Sequence, residues 1–294
     1  MARNTNGKGF SLKDSLFNKE KVQHLAELFS GADDTFKGKK FVDEVMEDML
    51  DLELKQRVVC ITKALESQLP DDFKEACKII VAALPAPLDP SNTDDDFGDF
   101  IYAPLGEYVV RNGLSKKHLK TSLRTLREIT MRFSMEDAIR YFLNAFPEET
   151  VAEMQKWATD KNYHVRRLVS EGTRPLLPWS GRITLNQAQT IPFLDILHAD
   201  STRYVARSVA NHMNDIAKIE PALVVHTLTR WKEEDEQDPV ELDWMIRHSL
   251  RTLVKQGDNN ALQLLGYRTN PRITVSTIAI NQSSLAVGET LEFS

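Results

Sequence analysis

Residues 157–172 read "WATDKNYHVRRLVSEG", and residues 197–212 read "LHADSTRYVARSVANH". Laid over one another at an offset of 40 residues, Asp160 falls on Asp200, Val165 on Val205, Arg167 on Arg207 and Val169 on Val209. A further 40 residues on, "DWMIRHSLRTL" (243–253) sets Met245 under Val205 and Arg247 under Arg207. Arg127, in "LRTLREIT" (123–130), extends the register backwards. A period near 40 with helical spacing of apolar residues is the signature of HEAT-like helix pairs, each burying one face on its neighbours. The expected fold is therefore all-α, a HEAT-like repeat α-solenoid.

The rest of the chain fits this frame. "FNKEKVQHLAELF" (17–29) places Val22, Leu25, Ala26 and Phe29 on one helical face, and 40–50, 54–69 and 72–84 share the same period. "ALPAPLDPSNTDDDFGDF" (83–100) breaks it with prolines and an acid run, and reads as a loop. Helical spacing resumes near Ile101 and continues to about Leu265. From Ile273 the sequence turns β-branched and alternating, in "TVSTIAI" and "LAVGETLEF". The division expected is a helical domain over 10–268 and, over 271–294, the beginning of a β domain too short to be a stable sandwich.

Charge is unevenly spread. The net charge of −6 conceals 9 Lys/Arg against 19 Asp/Glu in 20–99, and 14 Lys/Arg against 8 Asp/Glu in 111–182. An acidic chain with one basic region argues against a nonspecific nucleic-acid binder and for a directed one; solvated basic helix faces would give the same count. The polar start and the lack of an apolar run of about 18 residues predict no signal peptide and no membrane span, hence a cytoplasmic protein. Cys60 and Cys77 fit no ligand spacing and are expected as buried thiols. The seven histidines are scattered, and no metal site, phosphate-binding glycine loop or cofactor is expected.

Each repeated arginine follows the repeated aliphatic by two residues, about 200° around the helix. Stacked repeats would align Arg127, Arg167, Arg207 and Arg247 along one side. Such a ladder either pairs internally with acids of the next helix or tracks phosphates.

"DDDFGDFIYAPLGEYV" (94–109), "RFSMEDAIR" (132–140), "WATDKNYHVRRLVSEGTRPLLPW" (157–179) and "RSVANHMNDIAK" (207–218) resemble the AlkC branch of the AlkC/AlkD alkylpurine DNA glycosylases. The resemblance runs from Phe10 to about Tyr267. It implies a HEAT-like solenoid that binds double-stranded alkylated DNA as a monomer, associated with the bacterial nucleoid. It implies excision of cationic N-alkylated bases, mainly 3-methyladenine. In some AlkC proteins the solenoid carries a C-terminal immunoglobulin-like domain, whose opening the tail from 273 matches. The AlkD branch acts without extruding the base, and the same is expected here. The position of the AlkD catalytic Asp falls on Arg132, with Glu136 and Asp137 about one turn further on. Arg167 matches an AlkD arginine that contacts DNA, while Asn211 replaces an aromatic residue.

A base that already carries positive charge leaves without being protonated. What remains is to stabilise the oxocarbenium character of the sugar and to activate water, which one carboxylate can do. The candidates are Glu136, Asp200, Asp160 and Glu107, although both aspartates also suit helix N-caps. Glu171 is expected to pair with Arg167 or Arg174. His164, Arg166, Arg167, Arg174, Arg207, Asn211, Lys218 and Arg247 are expected to hold DNA. Trp157 or Trp179 would pack on the cationic nucleotide, with a core position the alternative for Trp157. The competing reading is a non-catalytic HEAT-repeat scaffold or DNA-structure binder.

Overall fold

Val22, Leu25, Ala26 and Phe29 line the buried side of a helix spanning Lys19–Ala32, capped at its start by the Asn18 side chain. The same apolar spacing builds every later helix of the computed structural model, which describes residues 11–92, 94, 97–268, 270, 274 and 279–292. In chain order the helices are α1 (Leu12–Leu16), α2 (Lys19–Ala32), α3 (Gly38–Asp48), α4 (Leu54–Glu66) and α5 (Phe73–Ala83). After the proline-rich loop come α6 (Ala103–Gly113), α7 (Leu119–Thr130), α8 (Glu136–Ala145), α9 (Pro147–Trp157) and α10 (Tyr163–Gly172). The last are α11 (Gln187–Leu197), α12 (Arg203–Ala217), α13 (Pro221–Glu234), α14 (Pro239–Gln256) and α15 (Asn259–Leu264).

The helices stack in two rows. One row runs α2, α5, α7, α10, α12, α14; α3, α4, α6 and α8 follow one another in the second. Val165, Val205 and Met245 are fully buried, so the 40-residue register marks equivalent core positions. A single hydrophobic cluster extends from Phe17 to Ala261. Gly172 permits a close approach of α8 to α10: a Cβ there would lie 2.6 Å from Ile139 Cγ2. That approach brings the start of α8 beside α10.

Of the four arginines that the 40-residue match aligns, Arg127 joins the inter-repeat ladder of side-chain pairs, which then continues through Arg166 and Arg203 in place of Arg167 and Arg207. Arg127 of α7 donates to Asp160 at 2.6 and 2.9 Å, Arg166 of α10 donates to Asp200 at 2.5 and 3.0 Å, and Arg203 of α12 pairs with Glu241 of α14. The residue beside Arg167, about 100° around the helix, faces the following repeat.

The loop between α5 and α6 lies across the later repeats. Tyr163 donates to the Asn92 carbonyl at 2.6 Å, Asp94 pairs with Arg207, and Gly98 bridges Phe133. Gly98 has φ +74°, and a Cβ would fall 1.8 Å from the Arg132 carbonyl, so only glycine fits.

No sheet forms among the described residues. The strands expected from 273 fall partly outside them; over 281–292, Asn281 N–H donates to the Glu292 carbonyl at 3.1 Å. Among the described residues, no helix is long and apolar enough to cross a membrane.

Candidate nucleic-acid interface and reacting carboxylate

Glu136 is the first residue of α8, where unpaired N–H groups at the helix N-terminus favour a carboxylate. Its side chain is 27% exposed, yet its Oε2 is buried and makes no hydrogen bond among the described residues. Arg167 of α10 stands opposite, with Nη1 3.8 Å from that oxygen. This is too long for a hydrogen bond, because Nη1 donates instead to Ser134 Oγ at 3.0 Å. The other edge of the guanidinium lies 3.6 Å from Glu171 Oε2. Its faces meet aromatic rings, with Tyr204 of α12 at 4.3 Å and Phe97 of the loop at 5.6 Å.

Two carboxylates share this arginine, and their proton affinities are shifted in opposite directions. Burial pushes the Glu136 carboxyl up; Arg167 opposes the shift and the Glu171 charge reinforces it. Glu171 is also buried, but Arg167, Arg174 and a Ser208 hydrogen bond outweigh the burial and hold it below the usual range. Two acids in adjacent environments with separated proton affinities are a mark of a reacting site.

Glu107 of α6 is a second carboxylate raised by burial; Arg111 draws it down and the neighbouring Asp137 of α8 pushes it up. Asp137 is within 3.6 Å of Lys55 Nζ, and Lys55 also donates to the Trp179 carbonyl at 2.5 Å. Trp179 is 90% exposed and holds φ +68°, a left-handed conformation costly for a tryptophan. Glu107, Asp137, Lys55 and Trp179 are therefore linked in one group, in which Asp137 directly follows Glu136 on α8.

Several predicted site residues are occupied elsewhere. Asp160 and Asp200 receive Arg127 and Arg166 from the preceding repeat and accept the backbone N–H groups of Asn162 and Thr202 at 2.9 Å. Their geometry is that of turn caps and inter-repeat clamps. Arg166 is likewise spent on Asp200. His164 is buried between the rings of Tyr163 and Tyr204. Arg174 is buried, donating to Glu171 at 2.7 Å and to Asp215 at 2.9 Å. Trp157, 2% exposed, belongs to the core. Asn211 accepts from Arg251 at 3.1 Å and contacts His248 at 2.9 Å, tying α12 to α14. Lys218 reaches Asp215 at 3.2 Å but keeps an exposed head. Arg207 and Arg247 remain partly solvent-facing, paired with Asp94 and Asp243.

Ser134, Tyr204 and Phe97 are absent from the residues predicted. Phe97 lies in the motif "DDDFGDF" (94–100), and only the path of the loop shows that it meets Tyr204 edge-on at 5.5 Å. Cys77 is buried and its thiol is pushed up to about 11. No group of three or more potential metal ligands occurs among the described residues. One surface hollow is lined by α2 and α3 residues such as Gln23 and Val42, another by Glu66, Asp72 and His118; neither includes Glu136, Arg167 or Tyr204.

No protein-family model matches the sequence. The uncharacterised protein YhaZ of Bacillus subtilis (strain 168) is 32% identical over 283 residues, covering 95% of this chain and 75% of its own length. The structure of Pseudomonas fluorescens alkylpurine DNA glycosylase AlkC, bound to DNA containing an abasic site analog, superposes with a TM-score of 0.76 at 33% identity. It covers 94% of this chain and 71% of that one. With the helix-pair architecture and similarity over nearly the whole of this chain, the chain belongs to the AlkC branch of the AlkC/AlkD family of HEAT-like-repeat alkylpurine DNA glycosylases.

Proposed function

We propose that the protein is a monofunctional DNA glycosylase that excises cationic N-alkylated bases, mainly 3-methyladenine, from duplex DNA, with Glu136 as the reacting carboxylate. One observation carries the assignment of Glu136: its side chain keeps 27% exposure at the start of α8 while standing 3.8 Å from a cation that does not close on it. In the proposed reaction water attacks C1′ as the C1′–N bond breaks. The bonding electrons leave with the base, which departs neutral, and the water proton passes to Glu136. Before that transfer the carboxylate charge stabilises the oxocarbenium character of the sugar. Glu107 supplies further negative potential, and Trp179 packs on the damaged nucleotide.

Arg207, Arg247 and Lys218 take phosphates, Arg207 by exchanging Asp94 for the backbone anion. The reaction is taken to proceed on an unextruded base, as the likeness to the AlkD branch implies. The segment 279–292 is read as belonging to a β module; its exposed Ile280, Leu285, Val287 and Leu291 support this. The test is incubation with methylated duplex DNA, with and without chelator, and chromatography of the released bases. Release of 3-methyladenine in both, leaving abasic sites, supports the reading; no release at enzyme excess contradicts it.

A further inference from the structure

Glu171 has no place on the reacting face. It is 5% exposed, one turn along α10 from Arg167. It accepts hydrogen bonds from Ser208 Oγ at 2.5 Å and from Arg174 Nη1 at 2.7 Å, and Arg174 is itself shared with Asp215 at 2.9 Å. Glu136, Arg167, Glu171, Arg174 and Asp215 thus form one row, with three carboxylates on two guanidiniums. The close contacts sit at the buried end. Glu136, at the open end, is left with an approach of 3.8 Å.

We propose that Glu171 is a positioning residue: by claiming part of the Arg167 charge it denies Glu136 a closed ion pair and keeps that carboxylate a proton acceptor for the attacking water. This rests on the reading of Glu136 as the reacting group. A carboxylate locked onto arginine at hydrogen-bond distance is a poor base with occupied lone pairs. Ser134 holds one edge of Arg167, Glu171 draws the other, and Tyr204 covers a face, so the guanidinium is held back from Glu136. The charged groups around Glu136 are Arg167 and Glu171 of α10 and Arg140 and Asp137 of α8, with Glu107 of α6 beside Asp137. Removing the Glu171 charge takes away a repulsion and frees Arg167 to close. Both changes move Glu136 in the same direction, towards stronger acidity.

The experiment is a carbon-13 carboxyl titration of Glu136 in the DNA-free protein, assigned by loss of the signal in Glu136→Gln. In the unaltered protein the midpoint should lie above the value of about 4.3 of an ordinary glutamate. In Glu171→Gln it should fall by about one pH unit or more. The midpoint of the pH–excision profile should move down with it, and the plateau rate should drop about tenfold. Ser208→Ala removes a hydrogen bond from Glu171 but no charge, and controls for loosened packing; it should leave the Glu136 midpoint nearly in place. An unchanged or raised midpoint in Glu171→Gln overturns the proposal. Should that variant not fold, an unaltered-protein midpoint at or below the ordinary value overturns it equally. The titration needs no substrate, so the predicted shift without any base release supports the coupling and overturns the enzymatic reading.

Discussion

Two buried arginines, one in each half of the molecule, are held in opposite ways. Arg57 of α4 is fully buried, and its donors are spent: four hydrogen bonds go to the carbonyls of Lys13, Phe17, Leu50 and Leu52 and one to Asp14, at 2.6–3.0 Å. It ties α1 to the following helices and has nothing left to offer. Arg167 is almost as buried, yet among the described residues it makes one hydrogen bond, to Ser134, with two carboxylates beyond bonding distance and two rings across its faces. A satisfied buried cation is a structural clamp, whereas an under-satisfied one retains a field that neighbouring groups feel. The acids around Arg167 register that field in their opposed proton affinities.

The largest effect expected from this contrast is on stability. Arg57→Ala removes five hydrogen bonds, one of them to the buried Phe17 carbonyl, and empties a fully buried site; it should cost on the order of 4 kcal/mol by denaturant unfolding, without moving the Glu136 midpoint. Arg167→Ala leaves two carboxylates facing one another, and should cost about 3 kcal/mol while raising that midpoint. The contrast breaks if Arg57→Ala moves the midpoint or Arg167→Ala does not. A smaller effect separates Arg167 from its repeat mate. Arg207 is partly solvent-facing and paired with the loop carboxylate of Asp94, so Arg207→Ala should change stability by less than about 1 kcal/mol. It should flatten the dependence of log K for DNA on log salt by roughly 1. An unchanged slope with a lowered melting temperature would make Arg207 structural. Smaller again, Asp200→Asn should loosen the Arg166 clamp and lower the melting temperature, yet leave single-turnover excision within about threefold in the folded protein, since its carboxylate caps a turn; collapse of excision there would move the reacting acid to Asp200.

The 40-residue register and the helical fold were legible in the sequence because core positions such as Val165, Val205 and Met245 must repeat for helix pairs to stack. Glu136 was legible as a candidate through the motif "FSMEDAIR" (133–140). Of the arginine ladder only Arg127 was legible, because register identifies equivalent backbone positions but not which of two adjacent arginines turns towards the next repeat. Arg166 clamps and Arg167 lies under the rings, one residue apart. The aspartates matched between repeats for the same reason that they cap turns, and the pattern alone does not separate a cap from a base. Trp157 is core at the end of α9 and Trp179 is exposed in a loop, a difference that residue type does not reveal. Phe97 joins the site only through the path of the loop that Gly98 makes possible.

The central claim is that the Glu136 charge drives excision without being needed for binding. Single-turnover release of 3-methyladenine from methylated duplex DNA, compared between the unaltered protein and Glu136→Gln at matched DNA occupancy, tests it most directly. The rate should fall about 10²-fold or more, a few kcal/mol of transition-state stabilisation, while DNA affinity holds or rises. A near-normal rate in Glu136→Gln would contradict the assignment of Glu136 as the reacting carboxylate.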